Sequence, residues 1–115
     1  MRPKELKAML DSIAPTYYMA YQPEDLEDEK TPIIVFGKVN STFREYADDR
    51  SSIRTTLYQV NLVSKDAKEA DVLSRKLEET LTAHELTFSL TSEYQNQNNM
   101  ISTVYEIRTE EIINA

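Results

Sequence analysis

One stretch constrains the fold more than any other: the hydrophobic period changes abruptly near Asp66. Residues 53–63 (IRTTLYQVNLV) alternate, with Tyr58, Val60 and Leu62 facing one way and Gln59 and Asn61 the other. That is the pattern of a strand with one buried face. Beyond Ser64 the apolar residues are Ala70, Leu73, Leu77 and Leu81, the stripe of an amphipathic helix. Asp66 followed three residues later by Glu69 has the form of a helix-start capping box, with Asp in the Ser/Thr role. A half-buried strand running directly into a one-faced helix predicts a sheet with a helix laid on its apolar side.

The remaining segments fit the same plan. Leu6, Met9, Leu10 and Ile13 lie on one helical face within residues 3–13, with Pro3 in the first turn and Pro15 after the end. Residues 16–22 (TYYMAYQ) read as a strand, closed by Pro23. The acidic run from Glu24 to Glu29 reads as a solvated loop; it has no Gly to form the sharp turn of a calcium loop. Residues 32–39 (PIIVFGKV) are apolar on both faces through Ile33–Phe36, which predicts a central strand, with Gly37 at a bulge or close approach. Residues 40–52 (NSTFREYADDRSS) read as a long polar connection. Residues 86–94 alternate, with Leu86, Phe88, Leu90 and Tyr94 expected inward, and Gln95–Asn99 form the turn of a hairpin. Residues 100–109 return with Ile101, Thr103, Tyr105 and Ile107 inward. Tyr17, Tyr58 and Tyr105 are expected in the core with their hydroxyls at its edge. The prediction is one α+β domain over residues 1–115, in the order α-β-β-β-α-β-β. It has two layers: a mainly antiparallel sheet of four to five strands, with two helices packed on one face.

Composition narrows the function. The 115 residues include one Gly, no Cys and one His. A single Gly does not build a glycine-rich phosphate loop. Without Cys there are no disulfides, thiolate nucleophiles or zinc ribbons, and one His does not make a multi-histidine metal site. No cofactor or metal is expected. The net charge of −7 opposes a nonspecific grip on nucleic acid, and neither half of the chain is basic. No apolar run approaches the ~20 residues that span a bilayer, and Met1–Ile13 has no apolar core of a signal peptide, so no membrane partner is expected.

The titratable residues do not pair into catalytic roles. His84 is placed at the end of the main helix with no nucleophile or second ligand beside it. Asp48 and Asp49 are adjacent, so on an extended chain they point apart rather than converge on a substrate. The chain is read as a non-enzyme. The 40–52 segment is instead a candidate contact surface. Phe43 and Tyr46 are aromatic anchors in a polar setting, and Arg44, Glu45, Asp48, Asp49 and Arg50 are candidates for ion pairs between subunits.

The layout PKELKAMLDSI, TYYMAY, PIIVFGKV, STFREYADD, then TTLYQVNLVSKD into KEADVLSRKLEETL and a closing STVYEIRTEE, carries a resemblance. Over residues 4–110 it resembles the tail terminator, tail completion and tail-to-head joining proteins of long-tailed bacteriophages of Gram-positive hosts. The resemblance rests on the layout and on the YQVNLVSKD-to-helix junction. It implies a virion structural protein, made in the bacterial host cytoplasm or from a prophage. Such a protein forms a ring, usually hexameric, at the head-proximal end of the tail. Its partners would be further copies of itself, the major tail tube protein and the head-tail connector proteins, with DNA passing through an acidic lumen unbound. The alternative is a monomeric protein-binding adaptor or regulatory domain of phage origin that engages one partner through an exposed sheet edge.

Overall fold

The computed structural model describes residues 2–18, 31–45, 51–96 and 99–114. The elements follow the expected order: α1 (Pro3–Asp11), β1 (Thr16–Tyr18), β2 (Ile33–Glu45), β3 (Ser51–Ser64), α2 (Ala67–Ala83), β4 (Thr87–Gln95) and β5 (Ile101–Asn114). The five strands form one sheet in the order β1-β2-β3-β5-β4. β1 runs parallel to β2, and every other neighbouring pair is antiparallel.

Both helices pack on one face. Leu6 and Leu10 of α1 join Leu73, Leu77 and Leu81 of α2 over Ile34, Phe36, Tyr58, Val60, Leu62, Tyr105 and Ile107. The cross-strand register puts these strand residues side by side: Phe36 opposes Val60, and Val60 opposes Tyr105. β2 is central at its start, as the doubly apolar run requires, because its other face also finds cover. Ile33, Val63 and Met100 form a second, smaller cluster with Tyr17 and Val35 on the face away from the helices.

Local chemistry sets the helix ends. Asp66 caps α2 by accepting a hydrogen bond from the Glu69 backbone N–H at 2.8 Å. The Glu69 carboxylate reaches back to the Lys65 N–H at 3.0 Å, one residue earlier than the usual box. At the other end, the Leu86 N–H bonds to the Leu81 carbonyl and the Glu85 N–H to the Thr82 carbonyl. This is a Schellman closure with Glu85, at φ 56°, in the left-handed position that normally favours Gly. α1 stops at Asp11, two residues short of the expected Ile13. The Asp11 carboxylate accepts from Lys7 Nζ (2.8 Å) and from the Thr16 N–H (3.0 Å), tying the helix end to the start of β1. The Lys7 hydrogen bond is the main cause that lowers the Asp11 pKa below its ordinary value.

Three expectations need correction. Of the expected 40–52 connection, the described residues are strand: β2 continues to Glu45 and β3 begins at Ser51, paired from Asn40↔Leu57 to Glu45↔Ser52. The backbone ladder holds these residues extended although their side chains are too polar to signal a strand. The bulge falls between Lys38 and Asn40 rather than at Gly37, which stays in register with Gln59. In β4, Leu86 and Phe88 pack against the core as expected, but Leu90 is 57% and Tyr94 45% exposed. A register shift between Leu90 and Ser92 moves Tyr94 to the other face, opposite Ser102. The first strand is described only as Thr16–Tyr18; the rest of the expected 16–22 strand and the acidic run lie outside the described residues.

Candidate functional site

The strands outrun the helices. β3 and β5 each have 14 residues, about 46 Å at ~3.3 Å per residue. α2 has 17 residues, about 25 Å at ~1.5 Å each. The far ends of β2, β3 and β5 therefore form a three-stranded extension beyond the helical layer. It accounts for much of the molecule's 53 Å length.

Its side chains are mostly small and polar. Ser41, Thr56 and Thr109 follow one another across the three strands, with the Ser41 and Thr56 hydroxyls 3.3 Å apart. On the face away from the helices, Asn40, Thr42, Thr55, Leu57 and Arg108 line a shallow open depression of about 230 Å³. Val39, at the bulge, is 55% exposed, and Ile112 is 71% exposed. Both outer edges of the extension are open among the described residues. β1 pairs with β2 only as far as Phe36, and β4 pairs with β5 only as far as Arg108.

The extension carries part of the expected contact segment. Phe43, Arg44 and Glu45 lie in β2 at the backbone levels of Arg54, Ile53 and Ser52. Tyr46, Asp48, Asp49 and Arg50 lie outside the described residues. The 40–45 and 51–52 parts of the extension were hidden in the sequence because they hold few apolar residues, so no alternation marked them.

Elsewhere among the described residues, several titratable side chains are engaged in local hydrogen bonds and ion pairs. His84 ends α2, exposed, with Nδ1 2.9 Å from the Thr80 carbonyl, a bond that requires the Nδ1-protonated ring. It borders an open notch of about 410 Å³ with Glu85, Leu86, Thr87, Arg108 and Glu110. Arg108 is already engaged with Glu110 at 3.6 Å. Tyr105 is buried, and its hydroxyl donates to Glu78 Oε2 at 2.7 Å. Burial pushes its pKa up to about 12, so it stays protonated and serves as a fixed donor rather than a base or nucleophile. Among the described residues, no group of three His, Cys, Asp or Glu side chains is placed to hold a metal ion. No helix among them is long and apolar enough to cross a membrane.

A third open edge, at β4, is not marked by the sequence reading. β4 is the outermost strand beside β5, and its residues other than Phe88 are exposed. The signal was present in TFSLTSEYQ, a strand-like run with neither Lys nor Pro. Reading Leu90 and Tyr94 as core residues concealed it. No known protein family matches the sequence, and no curated protein matches it.

Proposed function

We propose that this chain works by assembly rather than catalysis. In this reading it is a phage structural protein that closes as a ring, six copies in the virion, at the head-proximal end of the tail. There it ends the tail tube and joins it to the head connector. The observation that carries the reading is the three-stranded extension with two open edges. β2 and β5 are both antiparallel to β3, so they run the same way. A second copy can set the uncovered end of its β2, clear of β1, against the end of β5 that β4 leaves uncovered. Two different edges then meet, which is a heterologous contact, and such contacts close into rings when the rotation permits.

Phe43, Arg44 and Glu45 sit on the β2 side of that contact and Glu110, Glu111 and Ile112 on the β5 side. The net charge of −7 suits a lumen through which DNA slides without adhering. The tail tube and connector proteins are the partners this role requires. A monomeric adaptor of phage origin is the second reading, favoured by the separate open edge at β4.

The test shortens the extension. Replacing residues 43–54 with Asn-Gly joins Thr42 to Thr55, which face each other in the register. The shortened chain is expected to keep its far-ultraviolet circular dichroism and cooperative melting. It should lose the higher oligomers that sedimentation detects in the full chain at high concentration or with tail tube protein. In a phage that carries it, tails should be overlong or unjoined to heads. Normal infectious particles from the shortened chain would reject the ring reading, and a full chain that stays monomeric while binding one partner would favour the adaptor.

A further inference from the structure

β4 offers an edge unlike those of the extension. One side pairs with β5; the other is open along Thr87–Gln95 among the described residues. Proteins protect such edges with Lys, Pro, short length or a bulge. β4 has nine residues, no Lys and no Pro; its protection is the irregularity at Thr91, where the side-chain hydroxyl donates to the Val104 carbonyl at 3.0 Å. Leu90 and Tyr94 stand exposed on opposite faces.

The charges around this edge are mostly negative; the cation beside it, Arg108 opposite Thr87, is engaged by Glu110. On the helix side, Glu93 is held by the Thr103 hydroxyl at 2.9 Å. Glu78 is held there by the hydroxyl of Tyr105, which opposes Leu90. On the other side Glu106 opposes Ser89, a side chain too short to cover it. Among the described residues, no Lys or Arg forms an ion pair with Glu78, Glu93 or Glu106; Arg75 is taken by Asp71 and Arg108 by Glu110. The open backbone edge is thus flanked by carboxylates on both faces, with an apolar side chain on each.

We propose that β4 is a docking edge for an extended cationic segment of another protein, one that alternates Lys or Arg with apolar residues and adds to the sheet beyond β4. Backbone groups of the open edge supply the strand pairing, Leu90 takes an apolar neighbour, and Glu78, Glu93 and Glu106 select positive charge. The β4 edge of a second copy does not fit, because pairing β4 with itself brings the same carboxylates to one seam. The inference goes beyond the ring reading and does not depend on it, since the contact between copies uses β2 and β5.

The test titrates the isotope-labelled full chain with a peptide alternating Lys and Val and with a counterpart that has Glu in place of Lys, followed by amide chemical shifts. The Lys peptide should shift and protect the amides of residues 87–95. Its affinity should fall at least about tenfold between about 50 and about 500 mM NaCl. The Glu peptide should not bind. Glu93→Gln with Glu106→Gln should weaken binding about tenfold. Leu90→Lys, which puts a protective cation on an already exposed position, should weaken it at least about tenfold while circular dichroism is unchanged. Any of four results would overturn the proposal: no binding of the Lys peptide, shifts spread over the acidic surface rather than β4, equal binding of the Glu peptide, or undiminished binding by Leu90→Lys.

Discussion

β3 is one continuous strand in two environments. Under the helices its Tyr58, Val60 and Leu62 are at most 1% exposed and meet Leu73, Leu77 and Leu81. Beyond the helices the same strand, through residues 51–57, carries Arg54, Thr55 and Thr56, whose cross-strand neighbours are polar apart from Phe43 opposite Arg54. The ladder is formed in both halves, so backbone pairing is common to them and apolar burial is not. Hydrogen bonds exchanged with water contribute modestly in net terms, whereas each buried aliphatic side chain contributes about 1.5–3 kcal/mol. Among the described residues, the helical half therefore holds most of the apolar burial that stabilises the fold.

The largest expected effect lies in the covered half. Leu77 is fully buried in the α2 stripe. Leu77→Ala should cost about 3 kcal/mol, read as a lower midpoint in urea unfolding, from lost burial and the cavity left behind. A cost under about 1 kcal/mol would mean that the helix is not pressed onto the sheet and would erase the contrast between the halves.

The two halves were unequally legible in the sequence, for the same physical reason. Periodicity reports burial, so it located Leu73, Leu77 and Leu81, the even face of β3 and the inward Tyr105 and Ile107. It was silent where nothing is buried. STFRE and the Ser51–Ser52 pair carry too few apolar residues to show an alternation and read as part of a polar connection, whereas IRTT reads as the start of the β3 strand. In β4 the alternation was real, but the shift between Leu90 and Ser92 broke its phase, which no composition rule announces. Glu85 ends α2 at a positive φ where Gly would be expected, so the stop signal was absent from the sequence. Of the candidate contact residues, Phe43, Arg44 and Glu45 fall in the extension and the remaining four lie outside the described residues.

A middle-sized effect tests the seam between helix and sheet. Tyr105 is neutral in the fold, with its pKa raised to about 12 by burial, against an ordinary value of 10.0. Burial raises Tyr58 in the same direction. The unfolded chain loses these protons first as pH rises. The stabilisation is therefore complete below about pH 10 and is lost progressively as pH climbs through 12. For Tyr105 the loss over that interval is about 2 kcal/mol. Tyr105→Phe should cost about 1 kcal/mol at neutral pH through the lost hydrogen bond to Glu78, and it should flatten the alkaline decline. An unchanged alkaline slope in the variant would place the titration elsewhere.

The smallest expected effect is the most informative about the extension. Ile112 is 71% exposed, so Ile112→Thr removes an apolar side chain that this fold does not bury. In dilute protein the change should stay within about 0.5 kcal/mol, the range of ordinary surface substitutions. Thr also retains the β-branched shape that suits a strand, so backbone preference does not confuse the reading. Ile112 lies on the part of β5 that β4 does not cover, at the open edge that would meet a neighbouring copy. The substitution should therefore become costly only where copies meet. If stability rises with protein concentration in the parent chain, Ile112→Thr should reduce that rise more than it reduces the dilute value. A loss above about 1 kcal/mol in dilute monomer would instead show that the extension is held by its own packing, and the two halves of β3 would not differ as their side chains indicate.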